Sequence, residues 1–217
     1  MITLNNFDIK ILYFIDSKLN EAYSCYLINE RINDWYELDK SLYTTFKNDL
    51  GYITNSLREG LLLTLSKIFD DRNSGSICIQ NICNIILSTK IVDDKSLHIK
   101  MKCLAKDIID EIQINQVYLQ DLSNWRDKAL AHYDKSLKTT KIVISNIDKL
   151  ISLLIFTQQK INSILNLLGR ESIEFTNRTF RNSIDNLFVS YNIGNKLQET
   201  ANCEQFKELW LNVNIPK

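Results

Sequence analysis

The chain has 217 residues, 45% hydrophobic and 24% charged, enough to bury about 70% of its unfolded surface without a metal or disulfide staple. Only five Gly and one Pro (Pro216) occur, which argues against sandwiches, barrels and phosphate-cradling Gly-rich loops and favours long helices. Lys plus Arg and Asp plus Glu balance at 26 each, so a nucleic-acid site has to be a local patch rather than a global field.

The first 70 residues read as two long helices. Ile9, Leu12, Phe14, Ile15 and Leu19, then Ala22, Tyr23, Tyr26 and Leu27, recur at helical spacing, as do Leu42, Phe46, Leu50, Ile53, Leu57, Leu61, Leu65, Ile68 and Phe69. The turn between them falls near Asn33 and Asp34 or between Asp39 and Ser41, with Asp39 or Ser41 as cap. Residues 70–75 (DDRNSG) form a loop, and Ser76 caps a short helix over 77–87. A polar connection over 88–96 leads to a helix over 97–122, with Leu104, Ile108, Ile112, Asn115 and Leu119 on one side. Ser123 or Asn124 then caps a helix carrying Trp125 to about Tyr133, and a last helix runs over 142–168 to a C-cap at Gly169. The fold class is an all-α helical bundle of five to seven helices over 1–169. Residues 170–217 are a more polar C-terminal extension, with a possible helix over 177–189.

Cys25, Cys78, Cys83, Cys103 and Cys203 are odd in number and irregularly spaced, which suits reduced, mostly buried thiols of a cytoplasmic protein. Cys78 and Cys83 are spaced wrongly for a zinc pair, and only His98 and His132 could assist, so no metal site is expected. The densest apolar stretch, 150–156, is far below the ~20 residues needed to cross a bilayer, so no membrane association is expected.

The segment over 125–134 (WRDKALAHYD) is the chemically unusual one. It holds an Arg, one of two His residues, a Tyr and two Asp residues. Arg126, five intervening residues and His132, with polar Asp127 after the Arg, resemble the R-x(4–6)-H motif of the HEPN superfamily. Together with the Phe69-Asp70 element, the polar loop, the 76–82 segment and the AHYD ending, the region over 40–168 resembles the abortive-infection AbiU-like branch.

That resemblance implies a metal-independent endoribonuclease acting as a toxin or effector in phage defence, without a cofactor. Arg126 would hold the phosphate and His132 would be acid or base, with Asp127 orienting; both roles suit the chemistry of these side chains. Near them, Lys128 is a candidate phosphate contact, Tyr133 a candidate base contact and Asp134 a candidate partner of His132, in an RNA-binding role. Each also has a plain structural reading: a solvated helix residue, a packed ring and a helix cap. For Arg126 and His132 the plain reading is an Arg paired with Asp127 and a satisfied interhelix histidine. Members paired with nucleotidyltransferases often place a Tyr two residues after the His. Here Tyr133 follows His132 directly, so adenylylation of a Tyr is not expected.

On an unbroken helix, six residues separate Arg126 from His132 by about 120° and about 9 Å. One chain converges them poorly unless the helix bends or ends near Ala131, and a two-fold homodimer resolves this. The expected partners are RNA, a second copy and an antitoxin or other defence-system protein. A non-catalytic HEPN-like dimer binding RNA, a nucleotide or a protein is the alternative. The Arg170, Arg178, Arg181 group and the Lys135, Lys138, Lys141 run are candidate backbone contacts for RNA.

Overall fold

A computed structural model describes residues 8–38, 40–69, 77–132 and 146–171, with Asp185 and Val189; side chains of residues 40–50 and 128–132 lie outside the described set. Six helices follow one another: α1 (Ile9–Leu38), α2 (Lys40–Phe69), α3 (Ile79–Ser88), α4 (Lys95–Ile114), α5 (Gln116–His132) and α6 (Ile147–Leu167). No strand forms among the described residues, so the fold is an all-α bundle.

α1 and α2, each 30 residues, lie along one another as a long hairpin. α6 packs on α1 and α4, α3 on α4, and α5 on α2. One core joins all six helices, from Leu12, Ile15 and Leu19 of α1 to Leu153, Leu154 and Ile161 of α6. α1 ends at Leu38 and α2 begins at Lys40, so Asn33 and Asp34 stay helical and Ser41 falls inside α2; Asp39 lies outside the described residues. The expected loop over 70–75 and the Ser76 cap also lie outside the described residues. Helix α3 starts two residues later than expected, after Cys78, whose side chain makes no capping bond.

Two expectations need correction. The connection over 89–94 is not purely polar: Ile91 and Val92 are fully buried and plug the core. The expected helix over 97–122 is broken at Asn115, and no break occurs at Ser123 or Asn124, both interior to α5. The cause lies in the Asn115 side chain, whose Nδ2 donates to the Glu111 carbonyl and to Glu111 Oε1, both at 2.9 Å. Such a side chain competes with the backbone for helical hydrogen bonds. Asn115 is only 6% exposed, so its place on the apolar side stands, but it ends one helix and begins the next.

Helix ends follow local chemistry. Asp94 caps α4 by accepting from the Leu97 N–H at 2.9 Å, a contact of about 1 kcal/mol. α6 starts at Ile147, after Asn146 at φ 72°, a conformation Asn tolerates; residues 142–145 of the expected helix lie outside the described residues. At its other end the N–H groups of Gly169 and Arg170 donate to the carbonyls of Asn166 (2.9 Å) and Leu165 (3.0 Å). With Gly169 at φ 67° this is a Schellman stop, as the C-cap expectation requires. Asp185 and Val189, within the possible helix over 177–189, are both helical; the rest of 172–217 lies outside the described residues.

The charge order along α4 is unusual. Lys95, Lys100, Lys102 and Lys106 precede Asp107, Asp110 and Glu111. A helix prefers acids near its N-terminus and bases near its C-terminus, by about 0.3–1 kcal/mol each in the end turns. This helix has the opposite polarity.

Candidate functional site

The segment over 125–132 forms the last two turns of α5, which the core holds through Leu119 and Leu122. Arg126 lies seven residues after Leu119 and four after Leu122, on the same helix face. That placement explains why its side chain is only 18% exposed. Its Nε and Nη2 both donate to Asp127 Oδ1, at 3.1 and 2.8 Å, while Asp127 is 51% exposed. Trp125 packs half-buried against the core.

α5 runs without a break through Ala131 to His132. The backbone therefore keeps Arg126 and His132 about 120° apart around the helix and about 9 Å along it. The structure brings Arg126 and Asp127 together. The side chains of Lys128 and His132 lie outside the described residues, as do Tyr133 and Asp134 altogether. Of the two basic groups, Arg170 is exposed on the end of α6, and Lys135, Lys138, Lys141, Arg178 and Arg181 lie outside the described residues.

Two polar constellations escaped the sequence reading. Asp16 and Gln158, both fully buried, meet between α1 and α6, where Gln158 Nε2 donates to Asp16 Oδ1 and, at 3.2 Å, to Asn162 Oδ1. Their signal was present: Asp16 falls on the Leu12, Ile15, Leu19 stripe, and Gln158 on the Leu154, Ile161 stripe. A polar residue on an apolar face is either paired or costly. The second joins Asp185 to α1. Its Oδ1 accepts from Arg31 Nε at 2.6 Å and from Trp35 Nε1 at 3.0 Å, and this carboxylate raises the Arg31 pKa. No local pattern could link positions 150 residues apart.

Of the four described cysteines, all free thiols, Cys78 and Cys83 are buried, Cys25 is half-buried and Cys103 is exposed, so they are less uniformly buried than expected. Burial pushes the Cys83 thiol up to about 12, which leaves it unreactive. Among the described residues no group of three His, Cys, Asp or Glu side chains could hold a metal, and no helix is long and apolar enough to cross a membrane. A groove between α4 and α6, lined by Ile99, Cys103, Leu104 and Leu167 among others, includes no residue of the 125–132 segment.

A helical bundle whose R-x5-H segment closes its fifth helix defines the class of HEPN-type domains. The HEPN family described as AbiU2 matches residues 36–183, roughly two thirds of the chain, and the chain belongs to that family. It is an abortive-infection-related HEPN domain. No curated protein and no solved structure gives a match.

Proposed function

We propose that this HEPN domain is a metal-independent endoribonuclease acting as a toxin or effector of phage defence, as a cytoplasmic homodimer. The observation that carries the reading is Arg126 and His132 at R-x5-H spacing on one helix, inside the family match. In the proposed reaction the ribose 2′-OH gives its proton to a base and attacks the adjacent phosphorus. The P–O5′ bond breaks, and an acid protonates the departing O5′. The products are a 2′,3′-cyclic phosphate and a 5′-OH.

His132 is the acid or base, since an imidazole titrates near neutrality. Arg126 holds the phosphate and stabilises the charge that builds on it. Asp127, already bonded to two nitrogens of Arg126, orients the guanidinium. Lys128, Tyr133 and Asp134 contribute to RNA binding. An unbroken α5 supports the homodimer, because a second copy supplies the convergence that one helix lacks. An antitoxin or defence-system partner would restrain the activity.

The test is an RNA-cleavage assay in EDTA, with end-group analysis, on the parent, Arg126→Ala and His132→Ala. Each variant is expected to lose at least about a hundredfold in rate while keeping its helical circular dichroism. Variants that cleave as the parent does sink the assignment. Light scattering on the eluting protein should return twice the chain mass.

A second reading, a non-catalytic binding module, is favoured by the low exposure of Arg126 and its pairing with Asp127. That reading expects RNA, nucleotide or partner binding with no strand scission in any of the three proteins.

A further inference from the structure

The first twelve residues of α4 carry four lysines and no acid, with His98 among them. At about 100° per residue, Lys95, His98, Lys102 and Lys106 fall within an arc of about 80°. The buried face of the helix, set by Met101, Ala105, Ile108 and Ile112, lies beside that arc. Lys95 and Lys106 are exposed, and Lys102 and His98 half-buried.

The carboxylates that could neutralise the row are mostly engaged elsewhere. Asp93 pairs with Lys90 at 2.8 Å, and Asp94 caps the helix. Asp107 pairs with Lys160 of α6 at 2.6 Å, and Glu111 accepts from Asn115. Only Asp110 borders the row, at its far end. Among the described residues, Lys95, Lys102 and Lys106 make no ion pair. Burial first, and then the nearby charges of Lys102 and Lys90, lower the His98 pKa.

This row works against the helix that holds it. Lys95, in the first turn, opposes the macrodipole, and Lys102 and Lys106, four residues apart, repel each other.

We propose that Lys95, Lys102 and Lys106 form a docking strip for the phosphate backbone of single-stranded RNA, separate from the 125–132 segment. The choice of RNA over another polyanion rests on the nuclease reading. It also fits the side chains: lysines are flexible point charges suited to phosphates, and no aromatic residue lies on the strip to stack a base. The strip holds the strand irrespective of sequence.

The experiment uses a fluorescent 2′-O-methyl oligouridine, which lacks the attacking hydroxyl and so stays intact. Binding is measured across a salt series for the parent, a Lys95→Gln, Lys102→Gln, Lys106→Gln triple variant, and Arg126→Ala. The triple variant should bind about tenfold more weakly at low salt and lose about 2 from the slope of log affinity against log salt, as three lost phosphate contacts require. Arg126→Ala should change that slope by less than about 1. Thermal melting of the triple variant should match or exceed the parent, which separates lost binding from lost folding. In the parent, NMR titration should show the His98 pKa rising when the oligonucleotide is bound, and not in the triple variant.

A triple variant with the parent's affinity and slope overturns the strip. So does a parent that ignores the oligonucleotide but captures polyglutamate, which would make the partner an acidic protein. A parent that binds through the strip yet never cleaves RNA sinks the nuclease reading alone.

Discussion

Helices α4 and α5 are separated by one residue and are built differently. α4 buries a full stripe, Met101, Ala105, Ile108 and Ile112, each no more than 2% exposed, and packs against both α3 and α6. The described part of α5 buries only Leu119 and Leu122, and the R-x5-H segment begins beyond the second of them. The first helix is scaffold along the face that carries that stripe. The second has its two described buried leucines in its first half and the segment proposed for catalysis in its second, so packing and proposed catalysis are separable by mutation.

The largest effects should fall on opposite sides of that divide. Ile108→Ala on α4 empties a fully buried site and should cost about 2–5 kcal/mol, read as a lower urea midpoint. Per enzyme that remains folded, RNA cleavage should be nearly unchanged. Arg126→Ala should do the reverse, with cleavage gone and the urea midpoint moving by about 1 kcal/mol equivalent, since its partner Asp127 is exposed although Arg126 itself is only 18% exposed and loses some packing. If Ile108→Ala abolishes cleavage in the folded fraction, the two helices act as one unit and the separation fails.

One substitution made at two glycines sharpens the same point about local geometry. Gly51 lies inside α2, where an added Cβ meets nothing within 4 Å. Gly51→Ala should therefore stabilise the protein by about 0.5–1 kcal/mol. Gly169 sits at φ 67° in the stop of α6, and Gly169→Ala should destabilise by about 1–2 kcal/mol although space is open there as well. Thermal melts of the two variants should move in opposite directions. Shifts of the same sign would mean that backbone conformation does not govern these sites.

The bundle was legible because long apolar periodicities with few Gly and Pro leave little but helices. Boundaries set by side-chain competition were less so: Asn115 looked like one more residue on an inward face, and only its bonds to Glu111 reveal a break. The 125–134 segment was legible as composition, and Arg126 paired with Asp127 is visible in the fold. In the proposed reading, what Arg126 and His132 do together is set by how two copies meet, which spacing along one helix does not encode. The α4 row is not legible as a cluster, because its lysines are spread over twelve residues. Its signal was the order of charges along a helix rather than their density.

The smallest effect concerns His98 and tests whether the α4 field reaches the rest of the protein. Burial first, then Lys102 and Lys90, depress its pKa below the ordinary 6.5. The folded state then binds fewer protons than the unfolded state, where the imidazole titrates normally. Stability should fall as pH drops through about 6.5 and level off below the depressed folded value. His98→Gln should remove that part of the acid slope, which urea midpoints at neutral and mildly acid pH would show. Bound oligonucleotide should shrink the same slope in the parent, because phosphates on Lys102 offset the field that holds the imidazole neutral. A parent whose acid slope equals that of His98→Gln would mean that neither burial nor the lysines perturb this imidazole.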